Sequence, residues 1–305
     1  MPGEDELQQP RSSGSVVVIG NFDGVHRGHV SLLRTARAAE PGARLVAVTF
    51  WPHPMSVIRP DQTPLLLTTL DRRQELLRAA GVDQVVVVPF TSEVAGWTPA
   101  EFVDKVLTPL RPARIVVGQN FRFGFRAAGD VDTLAEQSQG RWKVQAVPLL
   151  TDGSHPSSST AIRHAVAEGD FGRGRELSDQ VFRFQGVVVR GDQRGREMGY
   201  PTANVAVTPG LAVPADGVYA SWVTRLDQPS PRWPAAISVG TNPTFDGLER
   251  RVEAYVLDRT DLELYGVEIA IDFYVRMRGQ VKYEGMASLV RQMRRDVEEI
   301  REVLS

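Results

Sequence analysis

The sequence predicts a doubly wound α/β domain followed by a small antiparallel β-barrel that carries a C-terminal helix. Three observations lead there. Short, uniformly apolar runs alternate with helical segments up to about Asp179; strand-like runs punctuated by turn residues then succeed one another; and the final stretch has helical spacing.

In the first half the apolar runs are Val16–Ile19, Leu45–Phe50, Val85–Phe90, Ile115–Val117 and Val144–Leu150. Helical compositions lie between them, over Gly28–Glu40, Asp71–Ala80, Pro99–Leu110 and Asp130–Gln139. Strands apolar on every residue belong in a parallel sheet covered on both faces. Ligands in such sheets bind beyond the carboxyl ends of the strands. In the second half the runs are Phe184–Val189, Ala203–Val207, Val218–Leu226, Ala236–Val239, Val252–Leu257 and Val267–Val275. Gly191, Gly195, Pro209, Gly210, Asp216-Gly217 and Asn242-Pro243 separate them, which predicts a barrel. Leu289, Met293, Val297 and Ile300 recur at three- and four-residue spacing, so one amphipathic helix over Met286–Leu304 should pack on it. The expected organisation is a disordered leader over residues 1–14, a first domain over 15–180 and a second over 181–305.

Composition narrows the chemistry. A chain of 305 residues with net charge −2 carries no broad basic stripe for nucleic acid or membrane surfaces. No apolar run approaches the ~20 residues of a membrane span. With no cysteine, thiolate nucleophiles, disulfides and cysteine-held metals are excluded, which suits a cytoplasmic protein. Only Lys105, Lys143 and Lys282 among the 35 basic residues are lysines, and none follows a P-loop glycine pattern. No GxGxxG fingerprint is present either. The histidines (His26, His29, His53, His155, His164) all fall in the first half, so a base in the second half would be a carboxylate.

The segment after the first strand reads Gly20-Asn21-Phe22-Asp23-Gly24-Val25-His26-Arg27-Gly28-His29. Two histidines three apart at a helix start share a direction with backbone N–H groups that favour anions. Glycines there allow close backbone approach. Such a site suits attack on an α-phosphorus, where donors and positioning matter more than a covalent nucleophile. This stretch resembles the HxGH nucleotidyltransferases, within them the adenylyltransferase module of bifunctional bacterial riboflavin kinase/FAD synthetase, whose GxFDGxHxGH it matches. The resemblance implies a Rossmann-like fold and ATP contacts from Gly20, Phe22, Asp23, Gly24, His26, Gly28 and His29.

Three further blocks match the same family. Thr49-Phe50-Trp51-Pro52-His53-Pro54 ends the second strand, where His53 is either a ligand contact or a turn histidine between prolines. Val117-Gly118-Gln119-Asn120-Phe121-Arg122-Phe123-Gly124 leaves the fourth; the resemblance gives Asn120 a nucleotide or flavin-phosphate contact, and its aromatic neighbours would also serve as core. Ser158-Ser159-Thr160-Ala161-Ile162-Arg163 opens a helix after the fifth. Ser159 and Thr160 are good N-caps, whereas Arg163 one turn in favours a triphosphate.

In the second half, Gly191, Gly195-Arg196 and Gly199 precede Pro201-Thr202-Ala203-Asn204. The glycines alone would be turn punctuation. A Thr hydroxyl and an Asn amide oxygen two apart on a strand face one way, and both are ligands for a hard cation such as nucleotide-bound Mg²⁺. The block resembles the riboflavin kinases, whose PTAN motif holds Mg²⁺-ATP. Ile237–Phe245, with Asn242 and Thr244, is similar to the family's flavin-side segment, and Arg278 matches another flavin-side position. Arg251–Asp258 resembles the strand with its catalytic glutamate, here Glu253; the alternative is a rim glutamate paired with Arg251. Arg259 stands where the family commonly has Phe, and Gln280 where it commonly has Glu, which touches finer flavin contacts. The resemblance spans residues 15–304 and implies conversion of riboflavin to FMN by the barrel and of FMN to FAD by the α/β domain, with ATP and Mg²⁺. One active module beside a scaffold, or a non-catalytic flavin-nucleotide sensor, are the competing readings.

Overall fold

The computed structural model describes residues 14–152, 155–156, 158–191, 195, 199–228, 230–244 and 247–305, and only the backbone of 152, 155–156, 242–244 and 247–249. The expected leader and Arg196 therefore fall outside the described residues, as do the side chains of Asn242 and Thr244. Packing separates two compact units: the chain to Pro64 with Thr69–Ser158, and Leu65–Thr68 with Ser159–Ser305. That division falls at 158/159, whereas the sequence suggests 180/181. Two helices, Ser159–Glu168 and Phe171–Ser178, account for the difference. They bury Ile162, Val166, Phe171 and Leu177 in the core cluster of the second unit, a destination that sequence spacing does not encode.

The first unit is built on a five-stranded parallel sheet: β1 (Ser15–Ile19), β2 (Arg44–Trp51), β3 (Gln84–Pro89), β4 (Pro112–Gly118) and β5 (Lys143–Val147), in the order β3-β2-β1-β4-β5. Every residue of β1 is buried. Its alternation splits the apolar side chains between two cores: Val16 and Val18 join Leu33, Ala36 and Leu77, while Val17 and Ile19 join Phe102, Leu107 and Leu134. The two-sided burial explains why the run is apolar at each position. Helices α1 (Arg27–Ala39), α2 (Pro54–Ile58) and α3 (Leu70–Ala79) follow the first two strands. The expected Pro99–Leu110 helix is instead a succession of α, π and 3₁₀ turns, with Pro109 inside the last of them. Strand order reverses between β1 and β4, which places a crevice beyond their carboxyl ends.

The second unit holds a closed six-stranded barrel. In chain order its strands are Phe182–Val189, Ala203–Val205, Gly217–Arg225, Trp233–Thr244, Gly247–Val256 and Glu268–Arg278. Val252, Ala254 and Val256 alternate into its core with Ile237, Val239 and Ile271. The C-terminal helix, Met286–Val303, lies on the outer wall, where Ile300 is fully buried with Val218, Ala220 and Leu257. The amphipathic stripe read from sequence is thus realised, but it packs outside the barrel strands. Ile300→Ala should destabilise this unit by about 2–5 kcal/mol through lost burial and a cavity; a urea titration followed by tryptophan fluorescence checks it.

Candidate functional site

The turn between β1 and α1 is unusual in backbone geometry. Phe22, Gly24 and Val25 have φ of 50°, 80° and 38°. Glycine adopts that region freely; a β-branched valine there is strained, by roughly 1–3 kcal/mol. Val25 N–H donates to the Phe22 carbonyl at 3.2 Å, closing the turn. Gly20 is also constrained: a Cβ there would sit 3.2 Å from the Phe22 ring.

His26 ends this turn as the N-cap of α1. Its Nδ1 accepts from the Gly28 N–H at 3.1 Å. An accepting Nδ1 leaves the proton of the neutral ring on Nε2. His53 does the same for α2, with Nδ1 accepting from Met55 N–H at 3.2 Å and Nε2 lying 3.5 Å from the Asn21 amide. So two imidazoles that the sequence offers as ligands also cap helices, each accepting through Nδ1, which puts the proton of a neutral His26 ring on Nε2. The alternatives at His53 are compatible: its turn position is what orients it.

His29 stacks on His26 with ring centroids 3.7 Å apart and an interplanar angle of 27°, and meets the Phe22 ring edge-on at 5.1 Å. Its Nδ1 is buried without a hydrogen-bond partner. Burial, then repulsion from His26 whenever that ring is protonated and from the Arg73 guanidinium, hold the imidazole well below the ordinary histidine value of 6.5. Two stacked rings at this distance cannot both be cations cheaply, so the pair enters neutral solution as donors awaiting a negative ligand.

The crevice at the β1/β4 reversal opens into a cavity of about 1010 Å³. Gly20 and Asn21 from the end of β1 and Asn120 from the end of β4 line it, whereas His26, His29 and His53 are not among its lining residues. Much of its remaining wall is aromatic (Phe50, Phe90, Trp97, Phe102, Phe121 and Phe123), with Arg59, Arg122 and Arg126 beside the rings. Phe121 and Phe123 stack at 5.4 Å, and Phe123 is also in the core. These rings serve both core and cavity, and sequence alone could not separate the two roles. Ser159, Thr160 and Arg163, expected beside the histidines, belong to the second packing unit; there the Arg163 Nε donates to the Leu65 carbonyl at 2.7 Å.

In the barrel, Thr202, Asn204 and Glu253 line one cavity of about 270 Å³, together with Gly195. Register explains the convergence. Glu253 lies opposite Asn204 on one neighbouring strand and opposite Ser238 on the other. Cross-strand partners hold their Cβ atoms ~5 Å apart on the same face. Because Val252 and Ala254 point into the barrel core, Glu253 points outward. The cavity is therefore on the barrel's outer wall, roofed by Leu289, Met293 and Val297 of the C-terminal helix. Arg251, the candidate ion-pair partner of Glu253, lines it too. Gly191 packs against the Asn204 side chain so closely that a Cβ could not be accommodated, which gives that glycine a role beyond turn punctuation.

Arg278 reaches this cavity, but its guanidinium is engaged elsewhere. Nε and Nη2 donate to Asp296 at 2.9 and 2.6 Å, and Asp296 is 2% exposed. The carboxylate raises the Arg278 pKa above the ordinary arginine value. This fork ties the C-terminal helix to the barrel, so Arg278 shapes the cavity while its charge is spent on Asp296. Gln280 donates to the Val239 carbonyl at 2.9 Å and lies 3.1 Å from Ser238 Oγ. A glutamate could not donate to that carbonyl. Sequence reading missed Asp296, an acid next to the apolar stripe, and Tyr283, whose buried hydroxyl lines the cavity without a partner.

Each unit thus sets polar side chains beside apolar walls, and the cations lining the two cavities are arginines (Arg59, Arg122 and Arg126 in one, Arg251 and Arg278 in the other) rather than lysines. That places the chain among transferases of phosphorus-containing groups. A family model for FAD synthetase matches residues 8–161 and one for riboflavin kinase matches residues 178–304. The bifunctional riboflavin kinase/FMN adenylyltransferase of Listeria monocytogenes is 33% identical over 290 residues, 94% of this chain and 91% of that protein. Those of Bacillus subtilis and Escherichia coli are also 33% identical, each over 96% of this chain and at least 93% of the relative. A crystal structure of a macrolide-efflux protein from Streptococcus pneumoniae superimposes with a TM-score of 0.85 at 32% identity, over 97% of this chain and 96% of that one. Among the described residues of this chain, no helix is long and apolar enough to cross a membrane. The chain belongs to the bifunctional riboflavin kinase/FMN adenylyltransferase family.

The depressed His29 pKa has a stability consequence. Below pH 6.5 the unfolded chain takes up a proton that folded His29 refuses, so this residue costs stability as pH falls through that range. The urea midpoint should drop between pH 7 and pH 5 with a His29 component of up to ~1.4 kcal/mol per pH unit. His29→Asn should flatten that component, measured as the difference between the two proteins' midpoints across pH.

Proposed function

We propose that the barrel unit transfers the γ-phosphoryl group of ATP to riboflavin, and that the α/β unit joins FMN to the adenylyl group of ATP with release of pyrophosphate. The observation that carries the reading is the register that sets Glu253 opposite Asn204 and in one cavity with Thr202, since an acid beside two neutral oxygen ligands is what a lysine-free kinase site needs. The order of the two family matches along the chain supports the division of labour.

In the kinase reaction Glu253 takes the proton of the riboflavin 5′-hydroxyl as that oxygen attacks the γ-phosphorus, and ADP leaves. The flavin ring lies against Leu289, Met293 and Val297, which supply apolar area at the outer wall. Thr202 Oγ1 and Asn204 Oδ1 are hard oxygen donors in the same cavity, and they fit a Mg²⁺ that arrives on the nucleotide. Among the described residues no cluster of three or more acidic or histidine side chains forms a cage of its own, in keeping with an ion that keeps phosphate and water ligands. When bound, the ion would neutralise charge on the phosphate oxygens.

In the adenylylation an FMN phosphate oxygen attacks the α-phosphorus of ATP. The Nε2–H of His26 donates to phosphate oxygens as charge grows there, and His29, neutral beforehand, donates one hydrogen bond from its ring N–H as the anion arrives. No covalent enzyme intermediate is required. Asn120 and the aromatic wall of the larger cavity receive the flavin nucleotide, with ring faces available for stacking.

Incubation with riboflavin, ATP and Mg²⁺, followed by chromatography of the flavins, should show FMN and then FAD; a parallel run starts from FMN. Glu253→Gln should abolish FMN formation and spare FAD formation from supplied FMN. His29→Ala should do the reverse, at about 2–4 kcal/mol of transition-state stabilisation. Damage to both reactions by either change contradicts the assignment. Gly191→Ala should raise the KM for ATP in the kinase reaction alone, because the added methyl displaces Asn204.

A further inference from the structure

Helix α3 carries an arginine where its amphipathic spacing calls for an apolar residue. Arg73 shares a face with Leu76 and Leu77, and it is 0% exposed. Fully burying a guanidinium is expensive unless it is paired and hydrogen-bonded. Its partners lie at the ends of two strands. Nη2 sits 3.5 Å from Oδ1 of Asp23, itself 1% exposed and placed between left-handed Phe22 and Gly24. Nη1 donates to the Phe50 carbonyl at 3.4 Å, and the guanidinium lies over the Trp51 ring at 5.5 Å. One buried cation therefore spans the turn that delivers His26 and His29 and the end of β2 that delivers His53.

From this geometry we infer that Arg73 is the positioning residue of the adenylyl-transfer site: its guanidinium pairs with Asp23 through Nη2 and with the end of β2 through Nη1, and so holds the strained turn that sets the stacked histidines. The inference rests on the adenylylation reading given above. Arg73 does not line the aromatic cavity of this unit. It acts through the turn and through its charge, which helps keep His29 neutral; the groups contributing to that are His26 in the same turn and Arg73 from α3, with Asp23 countering the latter. A residue that merely filled core volume would do neither. The positive-φ valine at position 25 is what makes the anchor necessary, because a turn stored in a strained conformation relaxes when its tether is cut.

Two variants test the inference. Arg73→Met removes charge and fork, and Arg73→Lys keeps the charge but loses the planar two-point reach. FAD formation from FMN is measured in the full-length protein beside riboflavin kinase activity in the same preparation, thermal unfolding reports folding, and proton NMR follows the titration of the assigned His29 imidazole. Arg73→Met should lower kcat for FAD formation ~10- to 100-fold, the loss expected for ångström-scale misplacement. Its KM for FMN should change far less, its kinase activity should persist, and the His29 midpoint should rise towards 6.5. Arg73→Lys should keep the midpoint low yet still lose kcat. Wild-type kcat in folded Arg73→Lys, or an unmoved His29 midpoint in folded Arg73→Met, overturns the inference; should Arg73→Met not fold, Arg73→Lys decides alone. If the unaltered protein makes no FAD, it is the adenylylation reading that fails.

Discussion

Strand β1 has water on neither face, and the chain leaving its carboxyl end must turn at once into α1 at the point where the strand order reverses. That topological constraint governs the first site. The only route is a turn with several residues in the left-handed region, which exposes backbone N–H groups and brings a histidine to the helix cap. Capping consumes one nitrogen of the ring and thereby defines what the other does. Placement of the two imidazoles after β1 follows from how the chain escapes a buried strand, while the charge state of His29 also depends on its burial and on Arg73 of α3.

The barrel reaches a comparable result by other means. Its site lies outside the core, on a wall whose inward residues are all spent on packing. Antiparallel register aligns Ser238, Glu253 and Asn204 across three strands without any special turn. The C-terminal helix then converts an exposed wall into a cavity. Asp296 binds it down through the Arg278 fork, so an ion pair in the roof maintains the volume beneath it. In both units, arginine–carboxylate pairs (Arg73 with Asp23, Arg278 with Asp296) act as architecture around the site. This division suits polyphosphate chemistry: fixed donors and neutral oxygens can select for charge developing in the transition state without gripping the ground state equally well.

The helical stripe of the C-terminus shows how one pattern carries two functions. Leu289, Met293 and Val297 face the cavity, while Ile300 is sealed in the core. Periodicity marks all four as apolar-face residues and cannot divide them, because the division depends on where the barrel wall recedes. The aromatic residues after β4 pose the same ambiguity: Phe123 is core and cavity lining together.

Local pattern alone determined the strand and helix alternation of the first half, the strand succession of the second, the terminal helix and the residues of both motifs. Those signals rest on periodicity and turn chemistry, which act over a few neighbouring residues and so are written in them. Tertiary structure alone decided that the helices following Ser158 pack with the barrel unit, that Glu253 meets Asn204 by register, that Arg278 is engaged by Asp296 and that Arg73 is buried on Asp23. Each of these is a contact between residues far apart in the chain. Arg73 stands in the sequence as one basic residue of the Asp71–Ala80 segment, and its burial, its partner and hence its meaning exist only once the strands have brought their ends together.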